Sequence, residues 1–123
     1  MFEAAEIEHE VSDADYDAQV PELREALLDA QLDMLEAGRK GLLILVGGVE
    51  GAGKGDTINL LQTWLDPRHA WVHAFSRRDA HEMRYPRYQR YWKALPPRGR
   101  TSIFFGSWYT DPVIDHVFGD GEA

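Results

Sequence analysis

The 123-residue sequence contains no cysteine, which excludes a disulfide framework and a thiolate metal site. This absence is typical of a protein of the reducing cytoplasm, where we expect the chain to be located. The apolar run Leu42–Val46 is far too short to cross a bilayer. The acidic first residues lack the basic and apolar parts of a signal peptide. With 44% hydrophobic residues, the chain has enough material for one modest domain but not for two.

The net charge of −8 is unevenly distributed along the chain. Residues 1–36 contain twelve acidic residues and one basic residue, whereas Ser76–Arg100 contains eight basic residues and only Asp79 and Glu82 as acids. A locally basic segment in an acidic protein favours a local anionic ligand over binding of nucleic acid across the whole surface.

A glycine-rich segment between two apolar patterns carries the clearest functional signal. Leu42–Val46 is typical of a short buried strand, and a helical pattern with Ile58, Leu61, Trp64 and Leu65 on one face follows Lys54. The spacing Gly48-x4-Gly53-Lys54 between them is that of a P-loop, in which backbone amides, the helix dipole and a lysine hold phosphate. The alternative is a glycine-rich turn that binds nothing.

The motif predicts a set of ligand-binding residues and contains one departure. Gly55 stands where a Ser or Thr normally offers its hydroxyl to Mg²⁺. Thr57 cannot replace it simply, because two residues along a helix is about 200° around the axis. The predicted ligand-binding residues are Gly48, Gly51, Ala52, Gly53, Lys54, Gly55, Asp56 and Thr57.

The remaining pattern predicts an α/β fold with a parallel sheet and right-handed crossovers. Residues 1–19 are predicted to be an acidic flexible arm, 20–40 a helix with Pro21 as its first residue, and 41–123 the phosphate-loop domain. One face of this helix carries a stripe of apolar residues, through which we expect it to pack on the core or to contact a partner. The helix is expected to end at Gly38 or Gly41. Further strands are predicted at Trp71–Phe75 and Thr101–Phe105, and helices at Pro86–Leu95 and at Asp111–Phe118 with Asp111 as N-cap. The stripe consists of Leu23, Ala26, Leu27, Ala30, Met34 and Leu35.

Three blocks in order resemble the polyphosphate kinase 2 family over about residues 16–119. The loop Gly48–Ile58 resembles its Gly-x-Asp-x-x-Gly-Lys-Gly-Gly-Thr-Ile motif, and Ser107-Trp108-Tyr109 matches the end of its Asp-Arg-Ser-Trp-Tyr motif. The middle block is Glu82, Pro86, Arg90, Leu95-Pro96-Pro97 and Gly99. The chain is most similar to the N-terminal module of two-domain polyphosphate:AMP phosphotransferases.

The resemblance implies a P-loop NTPase-like, thymidylate-kinase-like fold, a three-layer α/β/α arrangement with a parallel sheet. We expect the fold to be incomplete here, because the family's lid and last strands have no counterpart in this sequence. The implied activity is phosphoryl transfer from polyphosphate to AMP or another nucleotide, with Mg²⁺. The implied partners are polyphosphate, an adenine nucleotide, and a second catalytic domain or another copy of the chain, with neither nucleic acid nor a membrane.

Departures from the family motifs predict an alternative, a catalytically degenerate docking module. The family's loop Asp is Glu50 here, and its Asp-Arg before Ser-Trp-Tyr is Phe105-Gly106. The lost Asp is a usual Mg²⁺ ligand in P-loop enzymes. The family's Pro before its acidic run is Arg78 here, which changes the expected path of that loop.

Three residues are the catalytic candidates. Lys54 is expected to contact the terminal phosphates, and Glu50 to hold Mg²⁺ through water or to accept a proton, unless it is a solvated loop acid. Arg90 is expected to contact phosphate, because its planar fork suits bidentate binding.

The surroundings of Arg90 leave alternatives open. Arg87, Arg90 and Lys93 share one flank of the predicted helix, so they pair either with phosphate or with the acidic arm. The aromatic residues of this segment are predicted to be core rather than a stacking platform for nucleic-acid bases; they are Tyr85, Tyr88, Tyr91 and Trp92. Trp108 and Tyr109 are expected to pack against the loop.

Overall fold

The computed structural model describes residues 10–118, in which helices alternate with strands. In chain order the elements are α1 (Asp13–Ala37), β1 (Leu42–Val46), α2 (Lys54–Trp64), β2 (Ala70–Ala74), a 3₁₀ turn (Glu82–Arg84), α3 (Gln89–Lys93), β3 (Thr101–Phe105) and α4 (Thr110–Phe118). The α/β class predicted from the sequence is therefore confirmed.

The three strands form a parallel sheet in the order β1-β3-β2. Leu42 of β1 and Ala70 of β2 both pair with Thr101 of β3. β1 and β3 have the predicted bounds, whereas β2 begins one residue earlier than predicted. The pairing still continues past β2, because the Phe75 amide donates to the Phe105 carbonyl at 3.0 Å.

The central strand β3 separates two apolar clusters. Ile103 is completely buried on one face, where Ile58 and Leu65 cover it. Phe104 is completely buried on the other face, where Tyr91 and Ala94 cover it. Alternation of side chains along a strand produces this division. The arrangement confirms the three-layer α/β/α architecture, with α2 on one side of the sheet and α3 on the other.

The first helix begins earlier than predicted, and Pro21 lies inside it. Ser12 is the N-cap, and its hydroxyl accepts a hydrogen bond from the Asp15 amide at 3.2 Å. Asp13 and Asp15 in the first turn also complement the positive end of the helix dipole. Residues 13–19 are therefore helical, which corrects the prediction of an arm over 1–19. Residues 1–9 lie outside the described residues.

The end of α1 agrees with one of the two predicted positions, whereas its packing differs from the prediction. Gly38 has φ +57° and its amide donates to the Met34 carbonyl, so the helix ends there. Leu27 packs on the cluster around Ile103, but Leu23 is 52% exposed. The buried residue of α1 is a polar one, Gln31, which the apolar stripe did not predict.

The helix predicted at Pro86–Leu95 is shorter in the structure, where α3 covers only Gln89–Lys93. Tyr85, the residue before Pro86, is extended, which is the conformation that a following proline favours. A turn joins Pro86 to the start of α3. The prediction that all four aromatic side chains here are core is wrong: Tyr91 is 5% exposed, whereas Trp92 is 63% exposed. Tyr85 and Tyr88 are also exposed.

The last helix starts at Thr110, so Asp111 is a first-turn residue and not the N-cap. The Thr110 hydroxyl accepts a hydrogen bond from the Ser107 amide at 3.2 Å. Asp111 instead forms an ion pair with Arg87 at 3.1 Å. Among residues 10–118, no helix is long and apolar enough to span a membrane.

Candidate phosphate-binding site

The segment between β1 and α2 has the strand–loop–helix geometry predicted for a phosphate loop. Gly51 and Gly53 both have φ +79°, which costs a residue with a side chain roughly 1–2 kcal/mol. Gly53 is the residue immediately before α2. The left-handed backbone at these two positions turns the chain sharply from the sheet into the helix.

Lys54 is the first residue of α2, and its side chain folds back over the loop. Its Nζ donates to the carbonyl of Gly48 at 2.6 Å and to that of Val49 at 2.9 Å. An ammonium group has three protons, so these two bonds leave one donor for a ligand. The lysine thus closes the loop and brings a positive charge to the start of the helix.

The other predicted binding residues differ in what they offer to a ligand. The amides of the first turn of α2 have no acceptor within the helix, and the helix dipole favours an anion beside them. By contrast, the Ala52 amide donates to the Val49 carbonyl at 3.3 Å. The Thr57 hydroxyl donates to the Gly53 carbonyl at 3.0 Å. Gly55 and Asp56 are exposed.

The side-chain oxygens within and directly after the loop are those of Glu50, Asp56 and Thr57, and Mg²⁺ takes oxygen ligands. The Thr57 hydroxyl is bonded to the backbone, and Phe105 packs on the apolar cluster around Ile103. Among the described residues, no three His, Asp or Glu side chains form a metal-ligand group. Glu50 is an exposed carboxylate within the loop. A single carboxylate fits a Mg²⁺ that retains water and takes its other ligands from phosphate.

The position after β3 is occupied by a glycine whose backbone has little room for a side chain. Gly106 has φ +80°, and a Cβ atom there would lie 3.2 Å from the Phe75 carbonyl oxygen. Its amide donates to the Val46 carbonyl at 3.2 Å. Of the two residues that stand where the family has Asp-Arg, Phe105 therefore packs on the apolar cluster and Gly106 forms a tight turn.

Arg90 lies against the end of β2. It donates to the Ser76 carbonyl at 2.9 Å, and its guanidinium carbon lies 5.1 Å from the centre of the Phe75 ring. The Nε atom is 3.3 Å from Glu82 Oε1. The side chain of Arg90 is only 12% exposed. Its contacts with Ser76, Phe75 and Glu82 together fix its direction. Among residues 10–118, the acidic partner of this arginine is therefore Glu82.

A turn that the sequence did not reveal supports Arg90. The Arg78 guanidinium donates to the carbonyls of Glu82 and Tyr85, both at 2.7 Å. The Glu82 amide donates to Asp79 Oδ1 at 2.7 Å, and the Asp79 amide donates to Glu82 Oε2 at 3.2 Å. The Glu82 amide lowers the pKa of Asp79. The spacing Asp79-x-x-Glu82 is that of a capping box, a signal that would have found this turn.

The packing predicted for the two aromatic residues after β3 differs from what the structure shows. The rings of Trp108 and Tyr91 lie 5.7 Å apart, and Trp108 also contacts Phe104. Tyr109 is 63% exposed. Trp108 therefore belongs to the cluster beneath α3. Burial of the Tyr91 hydroxyl is the main cause that raises the pKa of Tyr91.

The loop and Arg90 lie at the same edge of the sheet. The glycine-rich loop follows β1, Ser76 follows β2 and Gly106 follows β3, and the three strands are parallel. Open parallel sheets bind ligands outside the carboxyl ends of their strands. The fold thus places the two basic candidates, Lys54 and Arg90, at the edge where such ligands bind.

A family model described as polyphosphate kinase 2 matches residues 10–121. Two relatives named polyphosphate:AMP phosphotransferase, from Pseudomonas syringae pv. tomato and Pseudomonas aeruginosa, are each 46% identical over 97% of this chain. NDP-polyphosphate phosphotransferase 3 from Ruegeria pomeroyi is 36% identical over 89% of this chain and 36% of its own length. The chain spans 24% of the length of the two Pseudomonas relatives.

Solved structures agree with this assignment. A crystal structure described as polyphosphate kinase 2 from Pseudomonas aeruginosa superposes with a TM-score of 0.89 and 46% identity, covering 97% of this chain and 26% of that one. The polyphosphate kinase 2 structure from Arthrobacter aurescens has a TM-score of 0.83 over 98% of this chain and 47% of its own, at 23% identity. The second similarity concerns the fold alone.

Proposed function

Because this chain belongs to the polyphosphate kinase 2 family, we propose that it is the N-terminal part of a polyphosphate-dependent nucleotide phosphotransferase. The reaction moves a phosphoryl group from polyphosphate to AMP or a related nucleotide. One observation carries the proposal: Lys54 at the first position of α2 closes a glycine-rich loop and keeps one proton for a ligand.

In this proposal the loop binds the end of a polyphosphate chain. The first-turn amides of α2 donate to the non-bridging oxygens, and the remaining Lys54 proton donates to the phosphate nearest the loop. In the transfer, the bond from the terminal phosphorus to its bridging oxygen breaks while an AMP phosphate oxygen bonds to that phosphorus. Lys54 offsets the negative charge that stays on the shortened chain. Arg90 contacts a second phosphate group at the same edge of the sheet.

Glu50 is the residue that would hold Mg²⁺ in this proposal. The ion would supply further charge neutralisation on the phosphate oxygens when bound. Alternatively, Glu50 accepts the proton of the acceptor phosphate. The cytoplasmic location, the domain division at residues 20–40 and 41–123, and the second domain or second copy that would complete the fold remain predictions.

A second candidate function is a catalytically degenerate docking module. Phe105, where the family has Asp, packs in the apolar core, and Gly106, where it has Arg, occupies a left-handed turn. A module of this kind would bind polyphosphate or stabilise a catalytic domain without transferring phosphate itself.

Calorimetric titration with tripolyphosphate tests the binding step. We expect Lys54→Met to raise the dissociation constant roughly 10-fold or more, since a charge-assisted bond contributes about 1.5–3 kcal/mol. Lys40→Met is the matched control, because Lys40 is exposed and lies before β1. Equal binding by the two variants, or no binding by the unaltered chain, would contradict the proposal.

Phosphorus NMR with polyphosphate, AMP and Mg²⁺ separates the two candidate functions. ADP formation that Lys54→Met abolishes supports the enzyme. Tripolyphosphate binding without any ADP supports the degenerate module.

A further inference from the structure

Arg78 lies in the segment that joins β2 to α3, and the loop mechanism described above gives it no role. Its Nη2 donates to the carbonyl of Glu82 and to that of Tyr85, both at 2.7 Å. Glu82 is the first residue of the 3₁₀ turn, and Tyr85 follows the last. One guanidinium nitrogen therefore holds the two ends of this turn together. The family motif has a proline at this position, and a proline side chain has no donor for such bonds.

The turn that Arg78 holds carries the acidic partner of Arg90. The Glu82 Oε1 atom lies 3.3 Å from Arg90 Nε, and its Oε2 accepts from the Asp79 amide at 3.2 Å. The buried Arg90 Nε makes no hydrogen bond among the described residues, although this carboxylate is close. Hydrogen bonds depend steeply on angle as well as on distance. A small displacement of Glu82 therefore decides whether Arg90 gains or loses this partner.

The other contacts of Arg90 are fixed by the sheet. Its Nη1 donates to the Ser76 carbonyl at 2.9 Å, and its guanidinium carbon lies 5.1 Å from the centre of the Phe75 ring. The Phe75 amide donates to a carbonyl of β3 at 3.0 Å, so strand pairing holds this side of the arginine. By contrast, Glu82 lies on a turn outside the sheet. Its position depends on hydrogen bonds within the segment, and Arg78 makes two of them.

The neighbouring arginine provides a comparison for the effect of charge alone. Arg77 is exposed, whereas Arg78 is half-buried. Salt screens an exposed charge, and such a charge adds only diffuse attraction for an anion. A guanidinium bonded to backbone carbonyls instead orders the chain around it. Ordering a long side chain costs conformational entropy, so an arginine that is ordered in advance binds phosphate more tightly.

We propose that Arg78 is a positioning residue: by holding the 3₁₀ turn it places the Glu82 carboxylate, and through Glu82 it directs Arg90. The inference deepens the proposed function and rests on it for one point, that Arg90 contacts phosphate. Arg78 acts on that phosphate only through Arg90.

The first test observes Arg90 directly in the full chain, without a ligand. We expect Arg78→Met, which keeps the aliphatic stem but removes both bonds, to shift or broaden the Arg90 side-chain Nε–H signal in proton–nitrogen NMR spectra. Arg90→Lys identifies the signal by removing it. The matched control is Arg77→Met, which removes the same charge one residue away and should leave the signal in place. An unchanged signal in Arg78→Met, or an equal change in both variants, would overturn the inference.

A second pair of variants reaches the same turn without altering Arg78, and decides the question if Arg78→Met does not fold. Asp79 Oδ1 accepts from the Glu82 amide at 2.7 Å. Asp79→Ala removes this acceptor, whereas Asp79→Asn keeps an oxygen at the same place. We expect the alanine variant to change the Arg90 signal and the asparagine variant to preserve it. No change in the alanine variant, or the same change in both, would overturn the inference.

Calorimetry with tripolyphosphate tests the consequence for binding and separates this inference from the proposed function. We expect Arg78→Met to raise the dissociation constant roughly 5-fold in the unaltered chain and less than about 2-fold in an Arg90→Met background, because residues of one network are not additive. Equal effects in the two backgrounds would overturn the inference. If no chain binds tripolyphosphate, the proposed function fails, while the Arg90 signal still decides whether Arg78 positions this side chain.

Discussion

Replacing Gln31 should weaken the contact between α1 and the rest of the fold. Gln31 is 4% exposed, and its side chain makes two hydrogen bonds to one residue. Its Oε1 accepts from the Asp66 amide at 2.8 Å, and its Nε2 donates to the Asp66 carbonyl at 3.1 Å. Asp66 follows α2, so this pair joins two segments distant in sequence.

The size of the effect follows from the group left without a partner. Gln31→Ala removes both bonds and leaves the amide of the partly buried Asp66 unpaired, whereas the Asp66 carbonyl keeps its hydrogen bond from the His69 amide at 3.1 Å. An unpaired group of this kind costs about 1–3 kcal/mol when water cannot replace the partner. The better helix propensity of alanine returns a few tenths of a kcal/mol. Because water reaches this site in part, we expect a net loss of roughly 1–3 kcal/mol in the free energy of unfolding.

Urea unfolding followed by circular dichroism measures this loss. With a denaturant slope of about 1–3 kcal/mol per molar urea, the midpoint should fall by roughly 1 M. The control is Gln19→Ala, at an exposed position of the same helix, which should change stability by less than about 0.5 kcal/mol. If the two variants unfold at the same urea concentration, the hydrogen bonds to Asp66 do not stabilise the fold and the reasoning is wrong.

Two other predictions concern turns around the sheet. Arg68 donates to the Asp66 carboxylate and lowers its pKa from 3.8 to about 2, so this pair stabilises the fold above about pH 4 and ceases to do so as the pH falls through about 2. Asp66→Asn should therefore reduce the change in melting temperature between pH 5 and pH 2, and an unchanged difference would contradict the assignment. Gly106→Ala should destabilise the fold by about 1–2 kcal/mol through its left-handed backbone. Gly47→Ala, where a Cβ meets open space, should lower the melting temperature much less.

The parts of the fold that the sequence predicted are those set by local pattern. Leu42–Val46 is a short apolar run and Thr101–Phe105 ends in three apolar residues, and both segments form strands with the predicted bounds. The glycine spacing before Lys54 predicted the loop for the same reason, since only a few backbone geometries join a strand to a helix that way. Local pattern was sufficient for these elements.

The parts that the sequence did not predict depend on partners distant along the chain. Pro21 was expected to begin a helix, but the cap at Ser12 begins it earlier and the loss of one backbone bond at the proline is tolerated. The burial of Gln31 depends on Asp66, and the path of residues 78–85 depends on the arginine at 78. Apolar periodicity contains no information about such side-chain-to-backbone bonds and therefore predicted neither of them. For residues 78–85, the Asp79-x-x-Glu82 spacing was the sequence signal that could have indicated the turn.

The central position of β3 has a consequence for how the molecule folds. In the sheet of the described residues, β1 and β2 do not pair with each other, and each pairs with Thr101–Phe105. During synthesis, neither earlier strand can form this pairing until that segment leaves the ribosome. Closing the connections from β1 to β3 and from β2 to β3 costs conformational entropy before the strands make stabilising contacts. We therefore expect the helices of the nascent chain to form first and the sheet to form late, in a single step.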